Sequence, residues 1–222
     1  VRLSVAIQAH PRRAAQAESL AALLAPLPVD IVYDPEPRNP LPSPWRTYAR
    51  ALDETPDWAT HRLIIQDDAT PCEGFADAAP LAVQSQPDAC IAFFHAARPH
   101  ENRHRIDRAI KEGNPLVQIS IQKFAPVVAL SWPADVICDC LCWTYDQGWP
   151  EEFRADDEIV GRALREHEVP VYATAPSLIQ HEDVVPSLIR KPRYDHGGGR
   201  NLNRVAYRFL SPPSDAREIA WA

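Results

Sequence analysis

Two adjacent carboxylates close a hydrophobic run, Arg62-Leu63-Ile64-Ile65-Gln66-Asp67-Asp68-Ala69. Apolar residues bounded by turn formers read as a fully buried strand of a largely parallel sheet. The C-terminal end of such a strand is where open α/β sheets bind ligands. Neighbouring carboxylates repel unless a proton or cation intervenes, and a divalent ion held by them and by phosphate oxygens relieves that repulsion. The same acids also suit a turn capping the next helix. Farther on, Ala155-Asp156-Asp157-Glu158 opens a helix, with acids at its positive end, and a cap is again the plainer alternative. His181 follows a strand; neutral imidazole suits Mn²⁺, although a lone histidine there is more often structural.

These groups need elements to position them. Leu3 to Ala9 reads as a first buried strand, and Ala14 to Leu24 as a helix with an apolar stripe at Ala14, Ala17, Leu20, Ala21 and Leu24. Val29 to Tyr33 is a second strand, ending at Asp34, and Pro44 suits the first turn of a helix running to about Asp53. Leu63 to Gln66 and Ala89 to His95 are further strands, and His100 to Glu112 reads as a charged, exposed stretch. Val117 to Leu130 reads as one or two strands, Pro133 opens a helix, Ile159 to Glu168 is helical and Val169 to Thr174 a strand. Such alternation implies βαβ units around a mostly parallel α/β sheet flanked by helices. From Arg190 the character changes, and Gly197-Gly198-Gly199 reads as a hinge. The expected division is a domain over residues 1–189 and a basic tail over residues 190–222, packing on or near the active site.

The 222 residues fit one such domain, and the formal net charge of −7 argues against a generally nucleic-acid-coating surface. No run of about 18 apolar residues is present, so no membrane span is expected, nor does a signal-peptide pattern open the chain. The sequence contains no Met, which suggests a processed or trimmed N-terminus. Cys72, Cys90, Cys138, Cys140 and Cys142 are an odd number, read as reduced thiols of a cytoplasmic protein. On a helix Cys140 points away from Cys138 and Cys142, which disfavours a zinc site. Twenty-three prolines imply loops held by fixed φ.

A strand ending in an acidic pair, an acidic helix start roughly ninety residues later, then a strand followed by Pro-Ser-Leu-x-Gln-His resembles the nucleotide-sugar glycosyltransferases of the GT-A (Rossmann-like) fold. The resemblance spans roughly residues 3–185. It implies Mn²⁺ or Mg²⁺ held against the donor diphosphate by Asp68 and His181, with Asp67 touching ribose or metal. It implies Asp156, with Asp157 as second choice, as the base that takes the acceptor hydroxyl proton in an inverting reaction. Gln66 stands where the family pattern often has an acid, at the position of a ribose contact. Donor contacts implied by the likeness are Asp34 for a uracil ring and Gln8, His10 and Arg13 in the loop after the first strand. Arg46 and Arg50, four apart on one helix face, would reach a diphosphate of the UDP-linked sugar.

The segments Gln-Ala-His-Pro-x-Arg, Pro-Trp-Arg-Thr and Gln-Asp-Asp-Ala-x-Pro-Cys-x-Gly-Phe resemble a narrower group more closely. These are phage glycosyltransferases associated with TET-type oxygenases, which implies 5-hydroxymethylcytosine in DNA as acceptor and the host cytoplasm as location. Two basic clusters suit a phosphate track: Arg98, Arg103, Arg105, Arg108 and Lys111, and Arg190, Lys191, Arg193, Arg200, Arg204 and Arg208. A solvated charge run is the alternative reading of both. A glycan or protein hydroxyl remains an alternative acceptor, and a non-catalytic DNA- or carbohydrate-binding module an alternative class. A sugar-1-phosphate nucleotidyltransferase needs a Gly-rich phosphate loop, and Leu3 to Ala15 has no Gly. Nothing beyond paired carboxylates suggests a glycoside hydrolase.

Overall fold

The computed structural model describes residues 1–39, 43–96, 102–121, 125–149, 155–181 and 205–221. Its elements in chain order are β1 (Leu3–Ala9), α1 (Ala14–Leu23), β2 (Val29–Tyr33), α2 (Pro44–Asp53), β3 (His61–Gln66), β4 (Ala69–Pro71), α3 (Phe75–Ser85) and β5 (Cys90–Ala92). They continue with α4 (Arg103–Glu112), β6 (Leu116–Gln118), β7 (Ala129–Pro133), α5 (Ala134–Asp146), α6 (Asp156–Glu166), β8 (Val171–Thr174) and β9 (Ile179–His181).

Among the described residues a seven-stranded sheet runs β2-β1-β3-β7-β5-β8-β6, and β4 and β9 form a separate ribbon. β1 pairs in parallel with β2 and β3, and β5 with β8. β7 and β6 run against their neighbours, so five of the seven strands share one direction. The sheet is therefore mostly parallel but mixed, with β7 reversed in its middle.

Strand parity divides the core between two faces, as alternating side chains require. Val5, Ile7, Leu63, Ile65 and Ile91 pack with Ala17 and Leu20 of α1 and with Phe75, Ala78 and Ala82 of α3. Ala6, Ile64, Cys90, Leu130 and Trp132 pack with Tyr48 and Leu52 of α2, Leu141 of α5 and Val160 and Leu164 of α6. Burial on both faces explains why β1 and β3 read as continuous apolar runs. On the second face Trp132 Nε1 donates to the Tyr48 hydroxyl at 2.9 Å, which satisfies both buried polar groups.

The structure corrects several expectations. The strand expected over Ala89 to His95 is reduced to Cys90–Ala92, and Val169 and Pro170 precede β8 rather than joining it. The charged stretch after His100 contains a helix whose Ile106 and Ala109 are buried. Val117 to Leu130 resolves into an edge strand and the start of the reversed β7. β4, α3 and β9 were not anticipated. The hinge at Gly197–Gly199 and the 189/190 boundary lie outside the described residues. Residues 205–221 rejoin the body: Ala206 bridges Ala96, Phe209 bridges Ser177, and Ala216 is buried against the α3 side. Among the described residues no helix is long and apolar enough to cross a membrane.

Candidate functional site

The site is built where β1 and β3 end. Gln8 and Gln66 are register partners on these parallel strands. They share the parity of Ala6 and Ile64, so they point to the face covered by α2 and α6. There Gln8 Nε2 donates to the Pro44 carbonyl at 2.8 Å, and Gln8 Nε2 and Gln66 Nε2 both approach Asp156 Oδ2 at 3.4 Å. One residue later the chain turns. The Asp67 amide donates to the Gln8 carbonyl, and Asp67 and Asp68 border a depression of about 350 Å³ walled by Ala15, Gln16, Ser19, Leu20 and Leu23 of α1.

Asp156 opens α6, but it is not the cap. Ala155 holds that place, with no side-chain hydrogen bond closing the helix. Asp156 Oδ1 accepts from the Asp157 amide at 2.9 Å, while Oδ2 faces two donors that are too distant for strong hydrogen bonds. Burial, and then the nearby Asp157 charge, raise this carboxyl from 3.8 to about 7. Gln8 Oε1, on the amide that approaches Asp156, is buried with no partner among the described residues. Asp156 thus has the proton affinity a general base needs near neutrality. Asp157, the second choice, accepts from the Glu158 amide at 2.9 Å and is less buried.

Asp68 and His181 are brought together by the unanticipated ribbon. β9 pairs with β4 so that His181 lies opposite Ala69, and His181 Nε2 stands 3.1 Å from Asp68 Oδ1. Arg13, in a 3-10 turn over Pro11–Arg13, sends Nη1 to Asp67 Oδ1 at 2.8 Å and to Asp68 Oδ2 at 3.0 Å. The turn is held by His10, whose ring Nδ1 accepts from the Arg12 amide and whose backbone N–H donates to Asp67 Oδ2 at 3.0 Å. Burial pushes the Asp67 carboxyl up despite these contacts. Burial also works against the Arg13 charge, but the two carboxylates outweigh it and raise its pKa.

Among the described residues no group of three or more His, Cys, Asp or Glu side chains converges on a metal position. Two such groups suffice for a cation completed by phosphate and water, as Mg²⁺ and Mn²⁺ commonly are. Cis ligands about 2.1 Å from an octahedral ion lie about 3 Å apart, which is the separation of Asp68 Oδ1 and His181 Nε2. The oxygen–nitrogen set therefore fits a divalent ion bound together with a diphosphate.

The remaining expected donor residues are engaged elsewhere. Asp34 is held by Arg46 through Nη2 at 2.9 Å and by the Glu36 amide, and Arg50 pairs with Glu54 on the exposed side of α2. Neither arginine meets the Asp67–Asp68 pair. Arg103, Arg105, Arg108 and Lys111 lie on α4, where His104, Arg105 and Arg108 border a groove of about 340 Å³ against β6. Arg103 and Arg208 both stack on the Tyr207 ring, at 4.7 and 5.2 Å from its centroid. The preceding residue, Ala206, donates its amide to Gln180 Oε1 beside His181, so this cationic cluster adjoins the candidate metal ligand along the chain. Arg98, Arg190, Lys191, Arg193, Arg200 and Arg204 lie outside the described residues. All five cysteines are free, with Cys140 buried and Cys138 and Cys142 exposed, as the helical spacing implied.

Two sets of contacts were missed by sequence reasoning: Arg13, expected at the donor, lies on the acid pair, and Gln8 and Gln66, expected at the nucleotide base and ribose, approach Asp156. Each pairs residues at least 54 positions apart, which no local pattern records.

No protein-family model matches this chain, and no curated protein does. Among solved structures it is similar to a mutant Drosophila β1,4-galactosyltransferase 7 in complex with manganese, UDP-Gal and xylobiose. Identity is 9%, the TM-score is 0.46, and the match covers 99% of this chain and 97% of that one. A superposition this loose carries neither a residue role nor an activity from one chain to the other.

Proposed function

We propose that this protein is a GT-A-type glycosyltransferase that moves a sugar from a UDP-linked donor to a hydroxyl, with inversion, and that the acceptor is 5-hydroxymethylcytosine in DNA. The observation that carries the reading is that the ends of β1 and β3 bear, on the α2/α6 side, a buried carboxyl raised to about 7 and, on the α1 side, an acid–imidazole pair spaced for a cation. A binding module needs neither.

Asp68 and His181 would hold the ion, which when bound offsets the charge of the donor diphosphate and its leaving oxygen. The depression beside Asp67 and Asp68 gives the donor a place against α1. As the acceptor oxygen bonds to the anomeric carbon, the bond from that carbon to the diphosphate oxygen breaks, and the acceptor proton passes to Asp156 Oδ2. The diphosphate leaves with the electron pair. Gln8 and Gln66 turn amide N–H groups toward Asp156 Oδ2, weak contacts that favour one carboxylate orientation without giving it a proton. Support for a polyanionic acceptor comes from Arg103, Arg105, Arg108 and Lys111 of α4, which outnumber Asp107 and Glu112 of that helix on a chain of net charge −7, with Arg208 offset by its ion pair to Asp107. A base within a duplex would have to be extruded to reach Asp156.

The test incubates the protein with UDP-sugars and hydroxymethylated DNA and measures the mass of the modified nucleoside. A hexose should be added, EDTA should abolish the transfer and Mn²⁺ should restore it. Asp68→Asn should lose donor binding and turnover together. Binding to DNA should weaken steeply with salt, and replacing Arg103 and Arg105 by Ala should flatten that slope by roughly one unit per lost phosphate contact. Transfer to a glycan or protein with no transfer to DNA would keep the enzyme and remove the DNA acceptor. Full activity in EDTA would remove the metal.

A further inference from the structure

One guanidinium nitrogen, Arg13 Nη1, serves both carboxylates of the acid pair, and all three side chains are nearly excluded from solvent. The two acids are not equivalent in their other contacts. Asp67 Oδ2 is fixed by the His10 amide, so both Asp67 oxygens are engaged by the turn that carries Arg13. Asp68 has one oxygen on Arg13 and the other on His181. A cation taking Asp68 and His181 would put two further positive charges beside a buried guanidinium that already neutralises half of the pair. Repulsion at that distance in a poorly solvated setting is strong.

We infer that Arg13 is the resident counter-ion of the pair, and that a divalent cation enters by displacing its guanidinium from Asp68 while Asp67 keeps hold of the arginine. Asp67 is on this account a positioning residue for Arg13 rather than a metal ligand. A guanidinium released from one carboxylate is a fork suited to phosphate. Resting on the donor reading above, cation entry and diphosphate binding then favour each other through this side chain, and such coupling is reciprocal.

The experiment titrates Mn²⁺ into the full chain by calorimetry, with and without UDP. Arg13→Gln should bind Mn²⁺ about tenfold more tightly than the wild type in the absence of UDP, within the range usual for coupled sites. The gain in Mn²⁺ affinity that UDP gives should shrink by a similar factor. Arg13→Lys, which keeps a cation, should stay within about threefold of the wild type. Should Arg13→Gln fail to fold, the wild type suffices: Mg²⁺ titration followed by arginine side-chain ¹⁵N spectra must shift the Arg13 resonance, assigned from its loss in Arg13→Lys. Equal Mn²⁺ affinity in wild type and Arg13→Gln, or a Mg²⁺-saturated protein with an unmoved Arg13 resonance, overturns the exchange and leaves the donor site standing. No Mn²⁺ binding to folded Arg13→Gln overturns exchange and metal together. A tenfold gain with no effect of UDP supports the exchange and removes the donor reading.

Discussion

Asp156→Asn should make the protein more stable at alkaline pH while disabling it. Unfolded, this carboxyl titrates near 3.8; folded, it titrates at about 7 because burial and Asp157 disfavour its charge. Between those values the native state holds a proton that the unfolded state has lost. Stability contributed by the group is therefore complete below about pH 4 and falls as pH rises to about 7. At 1.36 kcal/mol per pH unit the loss amounts to about 4 kcal/mol. Asparagine does not titrate there and escapes the loss.

The assay is urea unfolding of both proteins at pH 4.5 and pH 8.5 under reducing conditions. The difference in unfolding free energy, variant minus wild type, should be more positive at the higher pH by about 3 kcal/mol, since about 1 kcal/mol of the loss has already occurred at pH 4.5. Taking the difference removes every other titrating group that the substitution leaves alone. The same variant should lower kcat by about 10²–10⁴ with donor affinity retained. A carboxylate serving as a helix cap predicts the opposite, a loss of about 0.5–2 kcal/mol that grows as the acid ionises. A pH-independent difference, or one that favours the wild type at pH 8.5, would refute the argument that burial governs this group.

The remaining predictions are more local. The pH profile of kcat/KM should show an acidic limb near 7, because only ionised Asp156 can accept the proton; a limb near 4 would point to an exposed carboxylate instead. Tyr48→Phe strands the buried Trp132 Nε1 and should cost about 1–3 kcal/mol, lowering Tm by about 2–4 °C for each kcal/mol, measured by thermal unfolding. Gly74→Ala should destabilise by at least 1–2 kcal/mol, roughly the cost of a left-handed non-glycine residue. At φ +74° the added Cβ would also collide with Asp215 Oδ1 and the Arg217 side chain, so calorimetry should show the loss.

The elements legible in the sequence were those whose signals are local. β1, α1, β2 and α2 lie within a residue of their expected bounds, because apolar runs, helical stripes and Pro44 act over a few positions. The acid pair was placed at the end of a strand for the same reason. α3 was missed because Pro80 sits inside it and reads as a breaker, and because its N-cap is the left-handed Gly74, which offers no side-chain cap and reads as a helix end rather than a start. β4 is three residues long and includes Pro71, and its pairing with β9 spans more than a hundred residues, so only the fold reveals it. Nor does any local pattern record that β7 is reversed: a strand buried on both faces looks alike in either direction. His181 could be singled out from the sequence, but its distance from Asp68 depends on the ribbon that the sequence concealed.

Parity then explains how one strand end serves two chemistries. Gln8 and Gln66 face α2 and α6 and meet Asp156, whereas the chain just past β3 brings Asp67 and Asp68 to the α1 side, where Arg13 lies. In the proposed reading, the sheet edge thus separates the base, Asp156, from the cation site at Asp68 and His181. Neutral amides stand between the two. An acid at position 66 would set a second carboxylate against Asp156, and like charges in a buried site raise the pKa of one of them. Asp156, already raised to about 7, would then hold its proton above neutrality. A glutamine there keeps the geometry and spares the charge. Under the proposed reading, the neutral Gln66 keeps a second negative charge away from the buried Asp156.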